Sequence, residues 1–480
     1  MANDPQLIRR TALEIVALLK TGEISPHDCL DTLEARIAAV DGPINALPTL
    51  CFERARRAAD ALMKKPPSER GLLAGLPIAI KDLAQVAGVR TTYGSPIFAH
   101  HISTHSDPLV ARLESEGGII HAKSNTPEFG SGANTFNDVL GTTRNPWNTT
   151  RTVAGSSGGS AAALASGTAW LAHGSDLGGS LRTPASYCGV VGMRPSPGRV
   201  ATPAAYPVDQ QLFVEGPMAR NVEDVAFFLD ALSAEDIRDP VSLPSPAESF
   251  LAGARSGWKP KRIAFSADLG ITPVDPEVAD ICRKAAHRFS EAGVIVEEAH
   301  PDFSEMHDTF GVLRARGYAI SKMELLRAHR DVLKPEIVWN IEKGLALTMA
   351  DEERAERQRL ALYHRTLAFF DTYDLLCTPA AIVPPFPVEN RYVKSCNGVE
   401  LSNYTLWFAI SYAFSTVNCT ALSLPCGFNH EHLPIGLQIV ARPRAESRLL
   451  AGARLLEDIL GLEGITPIDP RIQHKQGDAA

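Results

Sequence analysis

Residues 155–186 read GSSGGSAAALASGTAWLAHGSDLGGSLRTPAS. Two glycine–serine clusters bracket an alanine-rich stretch and the apolar run TAWLAH (168–173). Taken singly, such a cluster is a flexible linker, or a bend that lets a helix pack closely. Taken together, the two mark the ends of one helix and one strand. About 12 helical residues rise ~18 Å, at ~1.5 Å each. About six strand residues return ~20 Å, at ~3.3 Å each. The chain goes out and comes back, so Ser156 and Ser180 can reach the same sheet edge.

The same alternation extends in both directions. Short apolar runs recur at LPIAI (76–80), GGIIHA (117–122), RIAFSA (262–267) and VIVEEA (294–299). They return at YDLLCTP (373–379), ALSLPCG (421–427) and IGLQIVA (435–441). Strands alternating with helices give an α/β sheet layered by helices on both faces. Residues 6–64 read as amphipathic helices, with Ser25 an N-cap and Pro26 at the first helical position of one of them. Residues 302–370 read as mostly helical and charged. The nearest approach to a linker is 242–262, and no second core begins there. The expectation is one domain over 1–480, with a helical segment 1–66, a core 71–230 and a substrate-shaping, more helical region at about 300–410.

Composition narrows the function classes. Forty-seven Lys and Arg against 55 Asp and Glu give a net charge of −8, which excludes a uniformly basic surface for nucleic acid. The N-terminal MANDPQLIRRTALEIVALLKTGE reads as neither signal peptide nor anchor, and no window is apolar enough to span a membrane. The eight cysteines form no Cys-x-x-Cys pair. A cytoplasmic enzyme or binding protein is expected.

Several motifs fail on context. GSSGG (155–159) formally matches the G-x-S-x-G elbow, but NPWNTTRTVA before it is not the hydrophobic strand that elbow needs. SGWK (256–259) matches S-x-x-K, yet Gly257 and Pro260 argue against a helix. His101 and His105 have helical metal-pair spacing without a third ligand. The second cluster has the better context. Ser180 follows an apolar run and a glycine loop and is expected at the N-terminus of a short helix, and the N–H groups of Leu177, Gly178, Gly179 and Ser180 are candidates for an oxyanion hole. No motif places a histidine beside it. Lys81, at the carboxyl end of LPIAIKD, is the candidate base, since burial lowers a lysine pKa. The competing reading is a salt bridge between Lys81 and Asp82.

GLPIAIKD, KSNTPEFG, GTTRNPWN, AGSSGGSAAALASG and GSDLGGSLRTPAS, in that order, resemble the core of the amidase signature family. CGVVGMRPSPGRV, GPMARNVEDVA, INALPTLCFERARRAA and LPIGLQIVARPRAESRLL extend the resemblance over nearly the whole chain. It implies the amidase signature fold, a large mixed β-sheet core layered by helices. It also implies that Lys81 is the buried base, Ser156 a relay serine on a cis peptide, and Ser180 the acyl-forming nucleophile. Ser157 and Ser160 then brace the loop or cap the helix, Asp176 and Arg182 pair to hold the nucleophile loop, and Gly130 lines the acyl pocket. Ala154 and Ser175 stand where the family usually has glycine and threonine. No metal or organic cofactor is implied, and homodimers are common in the family.

The expected activity is hydrolysis of a linear carboxamide, or a cyclic one as in nylon-oligomer hydrolases. One alternative is the A subunit of a glutamine-dependent tRNA amidotransferase, which carries an MDEFAMGS-like stretch where this chain has TPEFGSGA. Another is a non-catalytic binding paralogue, against which the joint presence of Lys81, Ser156 and Ser180 speaks.

Overall fold

In the computed structural model, which describes residues 6–202 and 211–473, eleven strands form one mixed sheet. In chain order they begin with β1 (Thr49–Leu50), β2 (Pro77–Lys81), β3 (Ile119–Ser124), β4 (Leu171–Asp176), β5 (Val191–Arg194) and β6 (Val214–Ala219). There follow β7 (Arg262–Phe265), β8 (Ile295–Glu298), β9 (Leu375–Pro379), β10 (Thr420–Phe428) and β11 (Pro434–Ala441). Their spatial order is β1-β3-β2-β4-β6-β5-β10-β11-β9-β7-β8. β2 runs parallel to β3 and β4, and β7 runs parallel to β8 and β9; the other neighbours are antiparallel. All five residues of β2 are buried although successive side chains point to opposite faces, so helices cover both faces there.

Three helices, Met306–His329, Pro335–Leu345 and Met349–Phe369, fill the segment expected to be helical. Ser25 caps the helix Pro26–Val40 in a capping box with Asp28. Within 242–262 a short helix, Phe250–Ala254, packs on the C-terminal helix Glu446–Leu460. One buried apolar cluster runs from Leu7 to Leu456, and a smaller one, built on Tyr318, Leu326, Leu333, Ile337 and Ile341, lies under the helical segment. Residues 203–210 of the expected core, and both chain ends, lie outside the described residues.

Two boundaries differ from the sequence reading. The strand expected at 168–173 is β4, three residues later. Thr168 N–H is taken by the Ala163 carbonyl at 2.9 Å, at the end of the preceding helix. Gly174, Ser175 and Asp176 continue the ladder opposite Gly216, Glu215 and Val214. Small and polar residues at a strand end carry no hydrophobic signal, which is why the pattern missed them. The helix after Ser180 starts at Arg182, so Ser180 sits in the turn before it and not at the helix N-terminus.

The first glycine cluster is not a linker. The helix Gly158–Ser166 is buried at every position and is closed by Gly167 in the left-handed region. A Cβ on Gly158 would lie 2.2 Å from Thr135 Oγ1, and one on Gly159 would lie 2.3 Å from Asn125 N. The helix start therefore touches backbone and side chains that leave no room for a methyl group. Gly159→Ala is expected to destabilise the protein by about 1–3 kcal/mol, the usual cost of overpacking, read as a lower melting temperature by differential scanning fluorimetry.

Candidate active site

The parallel strands β3, β2 and β4 end side by side, and their carboxyl ends carry Ser124, Lys81 and Ser175–Asp176. This is the sheet edge at which α/β proteins collect functional groups. The Lys81 side chain is fully buried, with Nζ 2.7 Å from Ser156 Oγ, 2.9 Å from Ser157 Oγ and 3.0 Å from Ser175 Oγ. Burial brings its pKa down to about 7, against the opposing pull of the Glu215 and Asp176 charges. The competing salt bridge does not form. Asp82 pairs instead with buried Lys123 at 3.1 Å and accepts the Thr92 N–H at 3.0 Å. Alternation along the strand separates the two side chains, which leaves Lys81 among hydroxyls only.

The two serine loops are tied to each other. Ser157 N–H donates to the Ser180 carbonyl at 3.2 Å, and Ser157 Oγ donates to the Ser175 carbonyl at 3.2 Å. The Gly155–Ser156 peptide is cis. Ala154 holds φ +55, the left-handed region that favours glycine. Ser160 braces rather than caps: its Oγ meets Ser124 Oγ at 2.7 Å and donates to the His173 carbonyl at 2.8 Å.

The Ser180 loop is wrapped around the Asp176 carboxylate. That group accepts from Gly179 N–H (2.9 Å), Leu181 N–H (3.1 Å), Arg182 Nε (3.1 Å) and Nη2 (2.9 Å), and Arg194 Nη1 (3.3 Å). Burial alone would raise the Asp176 pKa, but the Arg182 and Arg194 charges and these hydrogen bonds hold it well below the usual carboxylate range. The Gly179 amide, one of the expected oxyanion donors, is therefore committed to Asp176. The N–H groups of Leu177, Gly178 and Ser180 have no hydrogen-bond partner among the described residues. Gly179 also has φ +119, and a Cβ there would lie 2.6 Å from the Ser411 Cβ.

Ser156, Ser175, Ser180, Leu177, Gly178 and Gly130 line one pocket. A Cβ on Gly130 would lie 3.3 Å from Ser156 Oγ. Sequence reasoning missed the pocket's other walls, among them Phe129, Arg314, Tyr318 and Phe408. Three of these fall in the region at about 300–410 expected to shape the substrate site, but nothing in their local pattern separates pocket from core. Arg314 donates to Asn340 Oδ1, Tyr318 OH and Tyr404 OH, each at 3.1 Å, which fixes that wall. Among the described residues no group of three or more His, Cys, Asp or Glu could hold a metal ion, and no helix is long and apolar enough to cross a membrane.

Comparison with known proteins places the fold and the family. A solved bacterial aryl acylamidase of the amidase signature family superposes with a TM-score of 0.87 at 26% identity, over 96% of this chain and 99% of that one. The sheet is thus the amidase signature fold. A family model described as Amidase matches residues 28–450. An acylamidase of Rhodococcus erythropolis is 33% identical over 457 residues, covering 94% of this chain and 95% of its own. The glutamyl-tRNA(Gln) amidotransferase of Moorella thermoacetica has an A subunit that is 34% identical over 481 residues, covering 94% of this chain and 97% of its own. The chain belongs to the amidase signature family of hydrolases.

Removing the Asp176 charge would leave two buried guanidinium groups facing neutral neighbours. Asp176→Asn is expected to cost about 3–5 kcal/mol of stability, measured as a lower urea midpoint by tryptophan fluorescence.

Proposed function

We propose that this protein is an amidase that hydrolyses a carboxamide C–N bond to a carboxylate and ammonia or an amine. The observation that carries this reading is the contact of buried Lys81 with Ser156, Ser157 and Ser175. A neutral amine has two N–H bonds and one lone pair. The Ser157 hydroxyl proton goes to the Ser175 carbonyl, so Ser157 Oγ accepts one Lys81 N–H. Ser175 Oγ accepts the other, which leaves the lone pair directed at Ser156. Lys81 then takes a proton from Ser156, Ser156 takes one from Ser180, and Ser180 Oγ attacks the carbonyl carbon. The N–H groups of Leu177, Gly178 and Ser180 are the donors left to stabilise the oxyanion. On collapse, the relay returns its proton through Ser156 to the leaving nitrogen. Water, deprotonated by the same relay, then hydrolyses the Ser180 ester.

We read the chain as one domain whose partner is a small-molecule amide, with the segment at about 300–410 shaping its site. A second reading, the A subunit of a tRNA amidotransferase, is favoured by the Moorella relative. Against it stands TPEFGSGA (126–133) in place of the stretch usual in those proteins.

The test is product release from a panel of aliphatic, aryl and amino-acid amides, without partner protein or tRNA. Wild type is expected to hydrolyse at least one of them, and Ser180→Ala none. Activity surviving in Ser180→Ala removes the nucleophile, and silence of folded wild type moves weight to the partner-dependent reading. The pH profile follows from Lys81. Its folded pKa is depressed to about 7, and only the neutral amine is a base. With Lys81 as the single titrating base, kcat/KM is expected to fall about ten-fold per pH unit below that value and to level off above it.

A further inference from the structure

A second chamber lies against the pocket in front of Ser180, and the two share Leu83, Phe129 and Phe213 as walls. Beyond those shared walls the second chamber is bounded by Tyr93, Phe98, His101, Ser321, Lys322 and Leu325. Its aromatic side is one packed group. Tyr93 meets Phe98 edge-on at 5.2 Å, Phe98 meets Phe129 edge-on at 6.1 Å, and Tyr93 stacks on Phe129 at 6.3 Å. Lys322 Nζ lies 5.1 Å from the Phe129 ring centroid. The chamber's carboxylates are engaged, Glu215 with His173 at 2.8 Å and Asp107 with the Gln85 N–H at 2.8 Å. Such walls favour a flat apolar group, which can stack or meet ring edges.

Phe129 stands between the chambers in a conformation bulky residues rarely adopt, φ +47 and ψ 28. Its N–H donates to the Tyr93 carbonyl at 2.8 Å, and Gly130 follows at φ +71, so the backbone on both sides fixes the ring as a partition. The same loop indicates which half of a substrate lies there. A Cβ on Gly130 would lie 3.3 Å from Ser156 Oγ and 3.1 Å from Leu83 Cδ1. The wall leading to the second chamber thus abuts Ser156, the group that returns the proton to the leaving nitrogen. The Phe408 ring abuts Gly178 instead, within 3.1 Å of where a Cβ would lie, on the oxyanion side.

We propose that the second chamber binds the amine half of the substrate as an aromatic ring, and that Phe129 sets the size of ring admitted. This rests on the amidase reading, and it puts Gly130 on the leaving-group side rather than the acyl side. Ser321 and Leu325 sit one turn apart on Met306–His329, so a tryptophan at either fills the chamber from a different point.

The experiment compares kcat/KM for a primary amide, the anilide and the 2-naphthylamide of one acid, in wild type, Ser321→Trp, Leu325→Trp and Phe129→Ala. The tryptophan variants are expected to lower the anilide-to-primary-amide ratio about ten-fold or more, the scale on which a filled apolar pocket discriminates. Phe129→Ala is expected to raise the naphthylamide-to-anilide ratio by a similar factor. Both ratios unchanged in folded variants that still cleave the primary amide would overturn the chamber assignment while leaving the amidase reading intact. The acid is that of the amide which wild type hydrolyses best in the panel above, so silence across that panel counts against the amidase reading and the ratios test the chamber. If the tryptophan variants fail to fold, Phe129→Ala alone decides.

Discussion

The geometry of the site hangs on one buried carboxylate. Asp176 ends β4 and gathers two guanidinium groups and two backbone N–H groups around itself. Arg182 carries that anchorage further, donating to the Ser411 carbonyl at 2.8 Å and to Gln438 Oε1 at 2.5 Å. Gln438 lies on β11, so the Ser180 loop is bolted to both halves of the sheet. A buried ion group of this kind is weak evidence for stability, because desolvation offsets much of the Coulomb gain. Its role is positional: it fixes where Ser180 stands relative to the lysine entering from β2.

Lys81 makes the complementary demand. A fully buried amine is tolerated only when its charge is removed or matched, and here the carboxylate next in sequence is matched elsewhere. Lys123, equally buried, takes Asp82 together with the Ala84 carbonyl at 2.7 Å and the Thr91 hydroxyl at 3.0 Å. Two neighbouring buried lysines thus have opposite settings. Lys123 is held beside a carboxylate, whereas Lys81 is held beside three hydroxyls. That division gives Lys123 a carboxylate partner, while burial without one brings the Lys81 pKa down to about 7.

Much of this was legible in the sequence, and the parts that were not share a cause. Apolar runs such as LPIAI and IGLQIVA announced β2 and β11 because hydrophobic strands report themselves. The convergence of the two serine clusters followed from chain geometry, and the pairing of Asp176 with Arg182 was implied by the family resemblance. Three features escaped. The end of β4 is built from Gly174, Ser175 and Asp176, residues that read as a loop. The commitment of Gly179 N–H to Asp176 depends on a backbone turn no pattern specifies. Phe129, Tyr318 and Phe408 reach the pocket from distant segments, and an aromatic residue in a sequence looks the same whether it faces a core or a cavity.

The small residues of 155–186 have a physical reason that links these points. Lys81 can be dry and still reach Ser156, Ser157 and Ser175 only if the helix Gly158–Ser166 and β4 close over it without side-chain bulk between them. Gly174 removes that bulk on the strand side, where a Cβ would lie 2.7 Å from Ser157 Oγ, while Gly158 and Gly159 let the helix start close against Thr135 and Asn125. Small residues contribute little hydrophobic burial each, so the segment relies on the few large residues within and beside it, Trp170 and Tyr187 among them, for its share of the core. The glycine–serine texture that resembles a linker is thus a consequence of dehydrating a lysine at the end of a parallel strand. Larger side chains would bury more apolar surface, but they would separate the hydroxyls from the amine.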